Sequence, residues 1–209
     1  MSELKLETTE QKASYGIGRQ MGDQLASNSF EGVDLNALSA GIRDSFNGEA
    51  MAIEVSEIQA AFDVINQRLQ EEQQKQAEQF VKAGEEFLAD NAKREGVVTL
   101  ESGLQYEIVE AGEADGEKPV ASSKVRTHYH GTFIDGKVFD SSYDRGQPAE
   151  FPVGGVIKGW TEALQLMKAG AKYRLYVPHD LAYGEQGAGA AIAPYSTLVF
   201  DVELLDVLG

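Results

Sequence analysis

Residues 138–160 read VFDSSYDRGQPAEFPVGGVIKGW, and this stretch decides how the rest of the chain is understood. An Asp follows a Phe directly, at Phe139 and Asp140, and Val156, Ile157, Gly159 and Trp160 follow some twenty residues later. Large apolar side chains set among Gly, Pro and Ser are what a shallow aromatic pocket needs: side chains for walls, glycines for sharp corners. A second cluster looks like the opposite rim. It holds Tyr183, Gly184, Gly187, Gly189, Ile192, Pro194 and Tyr195, and leads into an apolar strand from Thr197 to Asp201.

The strand grammar around the pocket has period two. Leu104, Tyr106 and Ile108 alternate with polar residues, as do Val125, Thr127 and Tyr129, then Tyr173, Leu175 and Val177, then Leu198, Phe200, Val202 and Leu204. Asp-Gly turn signals stand at Asp115 and Asp135. Between the strands, Gly159 to Met167 reads as one short helix with Trp160 near its start. A sheet curled around one helix is an α+β domain, expected over residues 97–209, with Val98 to Ser102 as a candidate hinge before it.

Ahead of it the spacing is helical. Ile17, Met21 and Leu25 share a face, as do Leu35, Leu38, Ile42 and Phe46, with a break between Asn28 and Gly32. Asp34 caps the second helix, and Asn47 with Gly48 ends it. Gly16, Gly18 and Gly22 each cost about 1 kcal/mol against Ala in a helix, which points to a second backbone packed on that face. Two such helices, within residues 1–54, cannot enclose a core. Either they fold onto the C-terminal half or they pair with a second copy of the chain, and the next segment favours the copy because it reads as a spacer.

That segment, residues 55–96, opens with Ser56 and Gln59 at capping-box spacing and carries Ile58, Phe62, Ile65 and Leu69 on one stripe. From Gln70 to Gln79 the stripe vanishes, for QEEQQKQAEQ has only Ala77 as an apolar residue. Good helix formers without an apolar face describe a helix crossing solvent, on the order of 60 Å for some 40 residues. A disordered linker is the alternative; a coiled coil is disfavoured by the empty a and d positions.

Bulk composition narrows the function. With 34 acidic against 18 basic residues among 209, the net charge of -16 argues against nucleic acid or an anionic membrane as the main partner. There is no Cys, hence no disulfide frame and no thiolate nucleophile. The polar opening MSELKLETTEQKASYG carries no apolar signal core, and no run approaches the roughly 20 apolar residues of a membrane span, so a cytoplasmic protein is expected. His128 and His130 lie two apart on one strand face and can chelate a metal, but no third ligand is evident and no metal is expected. The glycines from Gly184 to Gly189 have no Lys and open no helix, which argues against a phosphate loop.

THYHG from Thr127, FDSS from Phe139, VIKGW from Val156, AYG from Ala182 and TLVFDVELL from Thr197 together resemble the FKBP-type peptidyl-prolyl cis-trans isomerases, over about 110 residues. The helices in front resemble the dimeric bacterial branch, similar to the macrophage infectivity potentiator type and its cytoplasmic relatives. The resemblance implies the FKBP fold, an isomerase that assists protein folding, and a V-shaped homodimer through intertwined N-terminal helices. X-Pro segments of unfolded or partly folded proteins are then the substrates. No cofactor is implied, and a macrolide inhibitor of the family is admitted as a ligand. It also implies a site: proline on Trp160, walls from Tyr129, Phe139, Val156, Ile157, Ile192 and Phe200, substrate carbonyls held by the Ile157 N–H and the Tyr183 hydroxyl, and Asp140 at the edge of the twisting bond with Arg145 beside it. Ala149, Ala188 and Ala191 stand where small family members carry larger rim groups, implying a wider rim. A chaperone that mainly holds partly folded clients in its two arms is the rival function.

Overall fold

The computed structural model describes residues 5–28 and 30–208. The chain divides into two compact units, Met1–Glu72 and Gln73–Gly209. The first holds α1 (Thr9–Asn28), α2 (Leu35–Asn47) and the start of α3 (Val55–Asn91). Ser29, inside the expected break, lies outside the described residues.

Local chemistry sets the helix ends. At α1, Thr8 and Gln11 form a reciprocal capping box: the Gln11 N–H donates to Thr8 Oγ1 at 3.2 Å and the Thr8 N–H to Gln11 Oε1 at 3.1 Å. Asp34 caps α2 as expected, its carboxylate taking the N–H groups of Asn36 and Ala37. Gly48 closes α2 with φ 69°, a left-handed value that glycine adopts without strain. The cap of α3 is shifted from Ser56 and Gln59. Glu54 takes the cap position, its carbonyl accepting from Glu57 and Ile58 and its N–H donating to the Glu57 carboxylate at 3.3 Å. A cap can slide in this way because Glu57 reaches back as well as Gln59 would. α3 is continuous, which removes the linker alternative, and its polar stretch carries hydrogen bonds one turn apart, Gln67 to Glu71 and Gln74 to Glu78. A Cβ placed at Gly16, Gly18 or Gly22 meets nothing within 4 Å, so no described backbone of the first unit packs there.

The second unit is an antiparallel sheet with α4 (Lys158–Leu164) against one face and the last turns of α3 against the other. Its strands are β1 (Val97–Thr99), β2 (Gln105–Ala111), β3 (Lys124–Phe133), β4 (Val138–Ser141), β5 (Ala149–Pro152), β6 (Ala171–Val177) and β7 (Leu198–Val207). They run in the order β1-β2-β6-β7-β3-β4, with β5 pairing β3. β3 and β7 form the long central pair, Tyr129 opposite Val202 and Gly131 opposite Phe200. The candidate hinge is partly sheet, since Val98 pairs with Tyr106 and the Leu100 N–H donates to the Leu104 carbonyl at 2.8 Å.

On the α4 side, alternate residues of β3, β6 and β7 bury Val125, Thr127, Tyr173, Leu175, Leu198, Phe200, Val202 and Leu204 around Trp160, Ala163 and Leu164. Gly159 lets α4 approach, because a side chain there would run into Val177. α4 stops at Leu164, short of the expected Met167. On the other face Asn91 and Gln105 join side chain to side chain at 2.8 Å, Gln105 donates to the Leu88 carbonyl, and Arg94 donates to Tyr176 and Glu107. These bonds fasten the end of α3 to β2 and β6.

Candidate active site

The pocket lies on the α4 face of the sheet. Val153–Gly155 makes one turn of 3₁₀ helix after β5, and Ile157, with ψ 150°, stands at the N-terminal boundary of α4, so its N–H precedes that helix's own hydrogen-bond ladder. The next turn delivers Trp160 to the floor, 4% exposed. Three rings meet Trp160 edge-to-face: Tyr129 at 5.3 Å, Phe200 at 5.3 Å and Phe151 at 5.6 Å. Phe139 stands on Phe200 at 5.5 Å and 89°. Both rings lie against Gly131, where any side chain would collide with them. The cavity holds about 280 Å³ and is lined by Tyr129, Phe139, Asp140, Phe151, Gly155, Val156, Ile157, Trp160, Tyr183 and Phe200.

One carboxylate stands in this aromatic cup. The Tyr129 hydroxyl donates to Asp140 Oδ2 at 2.5 Å, and Arg145 donates both to Asp140 Oδ1 and to the Tyr129 oxygen, the latter at 2.7 Å. Burial pushes the Asp140 carboxyl up, but the donors from Tyr129 and Arg145 outweigh it and hold the group below the ordinary carboxylate range. Burial, reinforced by the carboxylate, pushes the Tyr129 phenol up, so it stays a donor. Tyr183, on the far rim, is also pushed up, by burial first and then by the nearby charge of Asp140. The arrangement is a preorganised, partly open field around one carboxylate, and among the lining residues no nucleophile is activated by a base.

The model of the FKBP-type peptidyl-prolyl cis-trans isomerase family matches residues 115–205, and that of the domain amino terminal to FKBP-type peptidyl-prolyl isomerase matches residues 10–108. An FKBP-type 22 kDa peptidyl-prolyl cis-trans isomerase of Escherichia coli is 48% identical over 208 residues, covering all of both chains. This chain belongs to the FKBP-type peptidyl-prolyl cis-trans isomerases. It is also 39% identical to an outer membrane protein MIP of Legionella longbeachae over 97% of its length and 87% of that protein's. The crystal structure of FkpA from Escherichia coli matches with a TM-score of 0.72 at 40% identity, over 97% of this chain and 98% of the other.

Of the positions read from the sequence, Tyr129, Phe139, Asp140, Val156, Ile157, Trp160, Tyr183 and Phe200 meet in this one FKBP cavity. Arg145 is outside the lining and reaches the site through Asp140 and Tyr129. Ile192, expected in the wall, is absent from the cavity lining and packs in the same core cluster as Trp160 and Phe200, its backbone hydrogen-bonded both ways to Ala188. Ala149, Ala188 and Ala191 do not line the cavity either: Ala149 pairs with Thr127 in the sheet, and Ala191 faces a neighbouring hollow. Phe151 and Gly155 were missed. Phe151 alternates with its neighbours over only the four residues of β5, and that alternation was its one signal. Among the described residues, His128 and His130 do not come together with further ligands. His128 Nδ1 lies 3.0 Å from Ser142 Oγ, its ring stacks on Tyr143, and His130 lines a hollow on the opposite face with Arg174 and Asp201. That hollow, about 800 Å³, is larger than the aromatic cup, but its arginines are already paired, Arg174 with Asp201 and Arg94 with Glu107, and it concentrates no unspent charge.

Proposed function

We propose that this chain speeds cis-trans exchange at X-Pro bonds by binding the twisted amide in the Trp160 cup better than either planar form. The uncatalysed barrier is roughly 18–20 kcal/mol because amide resonance is lost at the twisted geometry. No covalent step is needed: only the difference in binding between twisted and planar amide lowers that barrier. The rings of Trp160, Tyr129, Phe139 and Phe200 strip water from the prolyl group. The Ile157 N–H and Tyr183 hydroxyl receive substrate carbonyls, and Asp140 acts through its field. Its lowered pKa keeps it ionised and weakly basic, which suits that role and opposes general-base work. The carrying observation is the Tyr129, Asp140 and Arg145 hydrogen-bonded set at an aromatic cup floored by Trp160.

Proline-limited folding of other proteins is the resulting cellular role, with X-Pro segments of partly folded chains as substrates. A second reading, holding of partly folded clients, and a homodimer through the N-terminal helices are supported by the apolar surface that the first unit leaves exposed. α2 buries none of its residues, and Phe46, Leu35, Met51, Val55 and Ile17 are 91%, 69%, 68%, 65% and 59% exposed. α1 and α2 also share an apolar hollow lined by Met21, Leu25, Leu38 and Ile42. Two copies on one client raise effective concentration.

A protease-coupled assay on an Ala-Leu-Pro peptide tests the reading, since uncatalysed exchange takes about 10–100 s at 25 °C. Rapid conversion by the wild type that collapses in both Asp140→Ala and Phe200→Ala supports it. No acceleration by the wild type leaves client holding as the function.

A further inference from the structure

The hairpin beside the isomerase cup has two sides. Ala188 and Ile192 bridge each other, and Ile192 packs into the core that also contains Trp160 and Phe200. The tip of the same hairpin, Gly189 to Ala191, lines a separate hollow of about 380 Å³. Its lining includes Phe80 and Ala83 from α3, Phe133 and Ile134 from the end of β3 and the turn after it, and the charged Asp135 and Lys137 of that same turn. Phe80 is 42% exposed, so an apolar surface is on offer here. The tip residues carry no side chain larger than a methyl, and a Cβ built at Gly189 meets nothing within 4 Å, which leaves the hollow open. Its volume falls in the range of about 300–1,000 Å³ that holds small ligands and side chains.

The hollow adjoins the cup across a single partition. Phe133 lines the hollow, Phe139 lines the cup, and their ring centroids are 5.1 Å apart, so one pair of touching rings divides the two. A client chain does not end at its proline. Extended chain advances about 3.3–3.6 Å per residue, so a side chain about two to four residues from the bound proline spans that partition.

We infer that this hollow is a second, apolar subsite for the same client chain, taking a Leu- or Phe-like side chain near the proline in sequence. The inference rests on the isomerase reading of the cup. Because α3 supplies one wall, the subsite belongs to the helix-bearing architecture, and the FKBP sheet alone does not make it. It is remote from the twisting bond, so what binds in it binds alike in the ground and transition states. Such uniform binding lowers KM and leaves kcat unchanged.

The test uses the full chain and a protease-free exchange measurement by NMR. Peptides carry one proline with Leu placed two, three or four residues away on either side, each compared with Ser at the same place. Burying part of a Leu side chain is expected to lower KM about three- to tenfold at one offset with kcat unchanged. That Leu-to-Ser ratio falls to within twofold in Phe80→Ser and in Ile134→Ser. It falls likewise in Ala190→Trp, which fills the hollow and does not depend on cutting an apolar group out. The proposal is overturned if Leu and Ser peptides behave alike at every offset while a short Leu-Pro peptide is still turned over, or if the Leu preference survives all three substitutions. Failure to turn over even the short peptide removes the isomerase reading, and the subsite with it.

Discussion

Asp140 carries the sharpest expectation. Its folded pKa is shifted below that of an unfolded Asp, about 3.9, so the ionised form and the interactions it makes are fully present above that value. They are lost only as pH falls through the lower folded value. Activity measured from pH 5 to 8 should therefore show no titration that vanishes in Asp140→Asn, and a step near pH 6 that does vanish would defeat the electrostatic role. Asp140→Ala should lower kcat/KM by roughly a hundredfold, the low end of the loss for one preorganised group. Its stability cost should stay within about 1 kcal/mol, because the Arg145 pair is 45% and 42% exposed. Thr127 offers the opposite case: its hydroxyl is buried in the core with no hydrogen-bond partner among the described residues. Thr127→Val keeps the shape and removes an unpaired polar group, so the urea midpoint should rise by about 1 kcal/mol equivalent at unchanged m-value. Most of the cup was legible from such single residues because Phe139, Asp140, Val156, Ile157 and Trp160 are crowded into one stretch. Ile192 was not, since a residue inside a glycine-rich loop shows no periodicity that tells inward from outward.

Among the elements, long periodic ones declared themselves and short ones did not. The four alternating strands were readable because each repeats its pattern several times, and α3 because its opening stripe runs into an unbroken stretch of good helix formers. β1, β4 and β5 have three, four and four residues, too few for alternation to stand out, and β4 hides inside Phe-Asp-Ser, a triplet that reads equally well as a turn. The use of the last turns of α3 was also hidden, for it depends on a residue with no side chain. Gly84 is buried, and a Cβ there would collide with the Thr197 hydroxyl just before β7. On helix propensity alone Gly84→Ala should gain about 1 kcal/mol. We expect it to lose about 1–2 kcal/mol instead, because Thr197 is stiff, β-branched and 5% exposed. A double-mutant cycle with Thr197→Ala separates the two effects: relief of the collision should return at least 1 kcal/mol as a coupling energy. Additive losses would mean that the contact is slack and the helix is held by Asn91 and Arg94 alone.

Taken whole, the chain combines a strongly negative surface with an N-terminal unit that leaves its largest apolar groups in water. A net charge of -16 keeps separate copies apart, whereas Phe46, Ile42 and Leu35 favour bringing them together. The proposed dimer is therefore a contest between short-range burial and long-range repulsion, and only the second responds strongly to salt. Raising ionic strength from about 0.01 to 0.15 M shortens the screening length from about 30 to 8 Å. Dimer dissociation, followed by light scattering on dilution, should become weaker over that range, the reverse of what an ion-paired interface would show. Ile42→Ser combined with Phe46→Ser should yield monomers at every salt concentration. Those monomers should still turn over a short Leu-Pro peptide, because the Trp160 cup is built wholly from residues 129–200. They should lose the ability to keep a refolding, proline-free client from aggregating, which needs two arms on one chain. A monomer that holds clients as well as the wild type would place holding in the cup itself and make it inseparable from catalysis.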